Sequence, residues 1–161
     1  MVKGRSLREA LDDVGNDIVK TLRNNLSKAG KNATGKTSKS LRHEVTDEDG
    51  VIALTVYGRP FFNAVETGRG PRKSTTQGKF KEAMLEWMQA RGIGSALDQK
   101  GKEALARFFT WRINKLGDKL FRSGGRKDIF TPVTTDQAVD KIKKVITDQF
   151  KIAFQDGFKR S

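Results

Sequence analysis

Gly30-Lys31-Asn32-Ala33-Thr34-Gly35-Lys36-Thr37 fits G-x-x-x-x-G-K-[ST], the pattern of a loop that cradles nucleotide phosphates. Such a loop works when a buried strand holds it taut and a following helix aims its N-terminus at the phosphates. Here the order is reversed. An amphipathic helix precedes the match, and Ser38 to Thr46 reads as a strand. No later hydrophobic run ends in an aspartate that would hold the metal. The match is therefore read as a chance one, and no nucleotide cofactor is expected.

The remaining chemical inventory is small. His43 is the single histidine and there is no cysteine, which removes Cys–His catalysis, thiolate metal sites and disulfides. His43 lies in an alternating segment and reads as structural. Glu44, Asp47, Glu48 and Asp49 cluster at a turn, where acidic side chains keep the backbone solvated rather than build a calcium site. No residue is assigned a catalytic, cofactor or metal role, and the chain is expected not to be an enzyme.

Phe80, Trp87, Phe108, Phe109, Trp111 and Phe121 recur at helical spacing and read as core packing rather than base-stacking platforms. Arg59, Arg69, Arg72, Lys73 and Lys79 make the densest basic patch. They suit an acidic partner surface or passing DNA.

These residues are positioned by few elements. Leu7, Leu11, Val14, Ile18, Leu22 and Leu26 form one apolar stripe, with Ser6 and Glu9 as a capping box and Gly30 as the stop. A hairpin over about residues 40–58 follows, turning at Asp47-Glu48-Asp49-Gly50 with Gly50 at positive φ. Phe61 to Glu66 forms a short helical turn or strand, and Thr67 to Gly78 a long basic loop. Phe80 to Met88 marks a helix ended by Gly92. Leu105 to Leu120 marks another, ended by Ser123-Gly124-Gly125. Asp128 to Val133 reads as extended, because Pro132 disfavours a helical Thr131. A last helix begins near Thr134 or Thr135, with Val139, Ile142, Ile146 and Phe150 on one face. The fold class is α+β: a long N-terminal helix, a small antiparallel sheet, then a mainly helical C-terminal half. Residues 1–161 form a single domain, 1–78 carrying the helix, sheet and loop and 79–161 a helical extension.

Composition sets the outer bounds. The 161 residues are 35% hydrophobic and 32% charged, enough for one core but polar enough that an elongated shape, or burial completed by neighbours, is expected. The net charge of +13 points to nucleic acid, an anionic surface or an acidic protein, although it is spread along the chain without a basic arm. No apolar run approaches the roughly 18 residues of a membrane span, and the N-terminus lacks a signal core. A soluble protein made in a cytoplasm, with no membrane partner, is expected.

Two stretches carry a resemblance. Thr34-Gly35-Lys36-Thr37-Ser38-Lys39-Ser40-Leu41-Arg42 enters the hairpin, and Phe61-Phe62-Asn63-Ala64-Val65-Glu66-Thr67-Gly68 leaves it. Together, over roughly residues 5 to 72, they resemble the tail-completion (head–tail joining, minor tail) proteins of tailed bacteriophages. In those a long helix precedes a Thr-Gly…Ser-Leu-Arg segment, and a Tyr-Ala-x-x-Val-Glu-x-Gly-Thr segment follows the sheet. Glu66 and Gly68 match that glutamate and glycine, and Asn63 or Ala64 the alanine. The family's later proline-rich ending is replaced here by the helical extension. Within it, Trp87 to Ile93 and Lys119 to Phe130 look like segments of longer phage neck and tail proteins.

The resemblance implies a structural virion protein at the neck or tail top, assembled in the host cytoplasm. It would form a homo-oligomeric ring, six- or twelve-fold, joining the portal–connector to tail proteins around the DNA exit channel, with DNA in the channel as a further partner. Arg59, Phe61, Phe62, Glu66, Gly68, Arg69, Arg72 and Lys73 are the expected subunit or partner contacts, with the Arg69–Lys73 loop ordering only against a neighbour. The competing reading is a basic nucleic-acid-binding protein of DNA packaging or regulation.

Overall fold

The architecture comes from a computed structural model that describes residues 6–60, 62–72 and 78–158. Helix α1 spans Leu7–Lys28 and opens on the expected capping box: the Ser6 hydroxyl accepts from Glu9 N–H, and the Glu9 carboxylate accepts from Ser6 N–H at 2.8 Å. Its buried face is Ala10, Leu11, Gly15, Val19, Leu22 and Leu26. The helix ends in a Schellman motif. Lys31 N–H bonds Leu26 C=O, Gly30 N–H bonds Ser27 C=O, and Gly30 takes φ +63°.

Between α1 and the sheet lies one turn of helix, α2 (Lys36–Ser40), where a strand was expected from Ser38. Three hydrogen bonds explain the difference. The Ser40 hydroxyl donates to Thr37 C=O, and the Arg23 guanidinium reaches from α1 to the carbonyls of Ser38 and Leu41 at 3.2 and 2.8 Å. Alternation from Ser40 on described the side-chain pattern, but a long-range cap settled the backbone.

Strands β1 (Arg42–Glu48) and β2 (Val51–Tyr57) pair antiparallel, with Glu48 opposite Val51 and Arg42 opposite Tyr57. The connection is the two residues Asp49 and Gly50, at φ +52° and +77°, the positive pair that a tight hairpin turn requires. A lone two-stranded sheet is marginal in water, so its support is α1. The approach is close at Gly15, where an added Cβ would lie 2.3 Å from the His43 ring and 2.9 Å from a Leu54 methyl.

Beyond the hairpin come α3 (Ala64–Thr67), α4 (Gly78–Ala90) and α5 (Gln99–Leu116). Helix α5 stops earlier than its apolar spacing suggested. Gly117 adopts φ +76°, Asp118 caps a new turn α6 (Lys119–Arg122) by accepting from Phe121 N–H at 2.7 Å, and the chain changes direction. Thr131–Val133 is a 3-10 turn rather than an extended segment, with Pro132 at its start, where a missing N–H costs nothing. Helix α7 (Asp136–Phe158) runs back beside α1.

The fold is thus α+β as expected: a long N-terminal helix, a two-stranded antiparallel sheet and a helical C-terminal half. Its apolar interior is divided. One cluster joins Val19, Leu22, Leu26, Leu41 and Ile129, flanked by Phe62, Val65 and Phe130. The other joins Met84, Met88 and Ala106, flanked by Phe80, Phe109 and Ile113. Among the described residues, no helix is long and apolar enough to cross a membrane.

Candidate functional site

The segment after the hairpin organises the middle of the molecule through one carboxylate. Glu66 is 2% exposed. Its Oε1 accepts from the backbone N–H groups of Ile129, Phe130 and Thr131 at 2.6, 2.7 and 3.1 Å, and its Oε2 accepts from the Thr131 hydroxyl at 2.6 Å. Burial by itself raises the carboxyl's pKa. The Thr131 hydroxyl and the three N–H groups outweigh it and hold Glu66 below the usual carboxylate value. Around this knot, Arg126 N–H bonds Glu66 C=O, Asn25 donates to Ile129 C=O at 2.9 Å, and the Arg126 guanidinium holds Ala29 C=O and Asp128.

Two residues on, Gly68 is buried with φ +73°. A Cβ there would lie 2.2 Å from Phe121 N and 2.6 Å from Asp118 Oδ1, so only glycine lets the chain pass α6. The Val65-Glu66-Thr67-Gly68 segment is therefore used inside the chain. Glu66 and Gly68 do not present side-chain surface to a neighbour, because both are enclosed by their own chain's residues 117–131.

The basic loop is tied down in the same way as far as residue 72. Asp118 N–H bonds Arg69 C=O and Arg72 N–H bonds Asn114 C=O, both at 2.8 Å. The Arg69 guanidinium lies 3.4 Å from the centre of the Phe80 ring and donates to Asn114 at 3.3 Å. Burial, then the adjacent Arg72, push Arg69 below its ordinary pKa, with Asp118 opposing. Arg69 to Arg72 thus meet the α5–α6 turn of their own chain. Phe62 is half-buried, with its ring 6.1 Å from that of Phe130. Arg59 and Arg72 are exposed, and Phe61 and Lys73 lie outside the described residues.

Sequence reasoning missed a second feature. The Gly30–Thr37 loop, which has a helix before it and only one turn of helix after it, forms a wall of a cleft of about 590 Å³ against α4. The lining includes Lys31, Lys36, Arg59, Arg91, Arg126 and Trp87. The lysines were visible in the phosphate-loop pattern, but Arg91 and Arg126 arrive from distant elements and left no local signal. The aromatic reading also divides. Phe80 and Phe109 pack on the second core cluster, whereas Trp87, Phe108, Trp111 and Phe121 are exposed.

His43 sits against α1, with its Nε2 2.8 Å from Asp12 Oδ1. Among the described residues, no three His, Asp or Glu side chains converge to hold a metal. Set against known proteins, the chain matches no family model, no curated protein and no solved structure, so what it does must be inferred from its own residues and geometry.

Proposed function

We propose that this chain is a non-enzymatic structural protein of a tailed-phage virion, one subunit of a ring that joins the portal–connector to the tail around the DNA exit channel. The observation that carries the oligomeric part is surface. The chain exposes 11849 Å² for a mass of 18.0 kDa. A compact monomer of that mass exposes about 8,000 Å². Part of the uncovered surface is large apolar side chains. Phe108, Trp111, Leu116 and Phe121 are exposed on α5 and α6, and Val139 and Phe150, eleven residues apart and so on one face, on α7. Patches of this kind mark contact surfaces in soluble proteins. Two different patches on one subunit suit a head-to-tail contact that closes into a ring.

The phage neck as location rests on the resemblance of residues 34–42 and 61–68. Within the proposed ring, the exposed Arg72 and the exposed aromatic residues of α5 and α6 are the contacts. The Glu66–Gly68 segment sets the geometry of the subunit from inside.

Native mass spectrometry of the purified protein, beside cryo-electron microscopy of a virion that contains it, tests the reading. A closed ring in solution, or a monomer that becomes a symmetric ring in the particle's neck, is expected. A stable monomer absent from virions would overturn it.

A further inference from the structure

The cleft between the Gly30–Thr37 loop and α4 gathers like charge. Lys31, Lys36, Arg59, Arg91 and Arg126 line it, against the single carboxylate of Glu86. Glu86 pairs with Lys36 at 2.7 Å, and Arg126 is held by Asp128. Arg91 donates to Gly30 C=O, a neutral acceptor. Among the described residues, Lys31, Arg59 and Arg91 therefore have no carboxylate partner around a shared concavity. Cations placed this way raise the local potential and draw in an anion.

The wall also has an aromatic surface. Arg91 directly follows the last residue of α4, its N–H bonds Trp87 C=O at 3.1 Å, both side chains line the cleft, and Trp87 is 39% exposed. Ala83, one turn earlier in the lining, leaves room beside the indole. Cations beside an open aromatic ring are the pairing that holds a phosphate and a base together. The charge of the whole chain, +13, favours an extended polyanion over a single small anion.

We propose that this cleft binds nucleic acid, gripping the phosphodiester backbone of a single strand with Lys31, Arg59 and Arg91 and lodging a base against Trp87. The phosphates are held by side chains rather than by the loop's backbone, since no strand holds that loop taut. The proposal stands apart from the ring reading: the cleft belongs to one subunit, and either can fail without the other.

Trp111→Phe leaves Trp87 as the single tryptophan, so its emission reports the cleft directly. Titration with an oligothymidylate of about 12 nucleotides should quench or shift that emission, with an affinity that falls as salt rises. Lys31→Glu with Arg59→Glu should weaken binding more than about tenfold and flatten the slope of log K against log salt by roughly one to two. The same charge change on α7, Lys141→Glu with Lys144→Glu, should weaken it far less. Trp87→Leu, read by anisotropy of a labelled strand, should cost about tenfold. All these positions are exposed, so thermal melts should stay close to the parent; Arg59→Gln alone replaces the double variant should it unfold. ADP serves as the free-nucleotide arm: saturation by ADP as tight as by the strand would make a free nucleotide the source of the same phosphate-and-base chemistry. An unresponsive Trp87, or equal losses from the cleft and α7 pairs, would overturn the proposal, the latter by reducing binding to general charge.

Discussion

The two core clusters are built on different principles. Around α1 and the hairpin, residues far apart in sequence are joined by buried and part-buried polar bonds: Glu66 to Ile129, Phe130 and Thr131, Asn25 to Ile129, and Arg126 to Ala29. In the α4–α5 pair, consecutive helices meet through Met84, Met88 and Ala106, and the buried Thr110 of α5 leaves its hydroxyl without a hydrogen bond among the described residues. Directional bonds admit one arrangement, whereas apolar contacts between neighbouring helices tolerate several. The first region is accordingly specified from within. The second keeps Phe108 and Trp111 outside, where a partner can complete its packing.

Removing the knot in the first region should give the largest effect. Glu66→Ala strands four donors in a dry site, and a loss of about 3–5 kcal/mol is expected from urea unfolding. Met88→Ala, which deletes a fully buried side chain from the second region, should cost about 2–4 kcal/mol. A Glu66→Ala cost well below that of Met88→Ala would break the contrast.

Gly15→Ala probes how the hairpin is seated. Its Cβ would press into the His43 ring, so a destabilisation of about 1–3 kcal/mol is expected despite alanine's better helix propensity. Stabilisation instead would mean that the hairpin shifts freely on α1.

Acid should act on the first region through Glu66. Its folded pKa lies below the ordinary value, so the stability it contributes is complete above the unfolded value, about 4.3. That contribution fades as pH falls below there and through the folded pKa. Glu66→Gln should lose this part of the acid limb, which melting curves over the acid range would show.

The smallest change is expected in the second region. Thr110→Val keeps the shape and removes an unpaired hydroxyl, so stability should rise by up to about 1 kcal/mol. A clear loss there would reveal a polar partner for Thr110 and weaken the comparison.

Much of the local architecture was legible in the chain. The Ser6–Glu9 box, the α1 stripe, Gly30 as a stop and the Asp49-Gly50 turn each depend on residues within a turn of one another. The breaks at α2 and Gly117 were not legible, because Arg23 and Arg69 act there from 15 and more residues away. Glu66 was singled out as part of a motif and assigned to the outside. A carboxylate's sequence neighbours cannot tell whether its donors are water, a partner or a turn 63 residues later.

By itself, then, the sequence determined the class of fold, the helix and hairpin boundaries set by caps and positive-φ turns, and the strong positive charge. Only the tertiary structure decided which side chains face in or out: Glu66 inside, Trp87 and Trp111 outside, and five cations from four separate stretches of chain around one cleft. The physical reason is range. Caps and turns are settled by bonds closed over a few residues, whereas burial and electrostatic convergence depend on segments that meet only after the chain has folded.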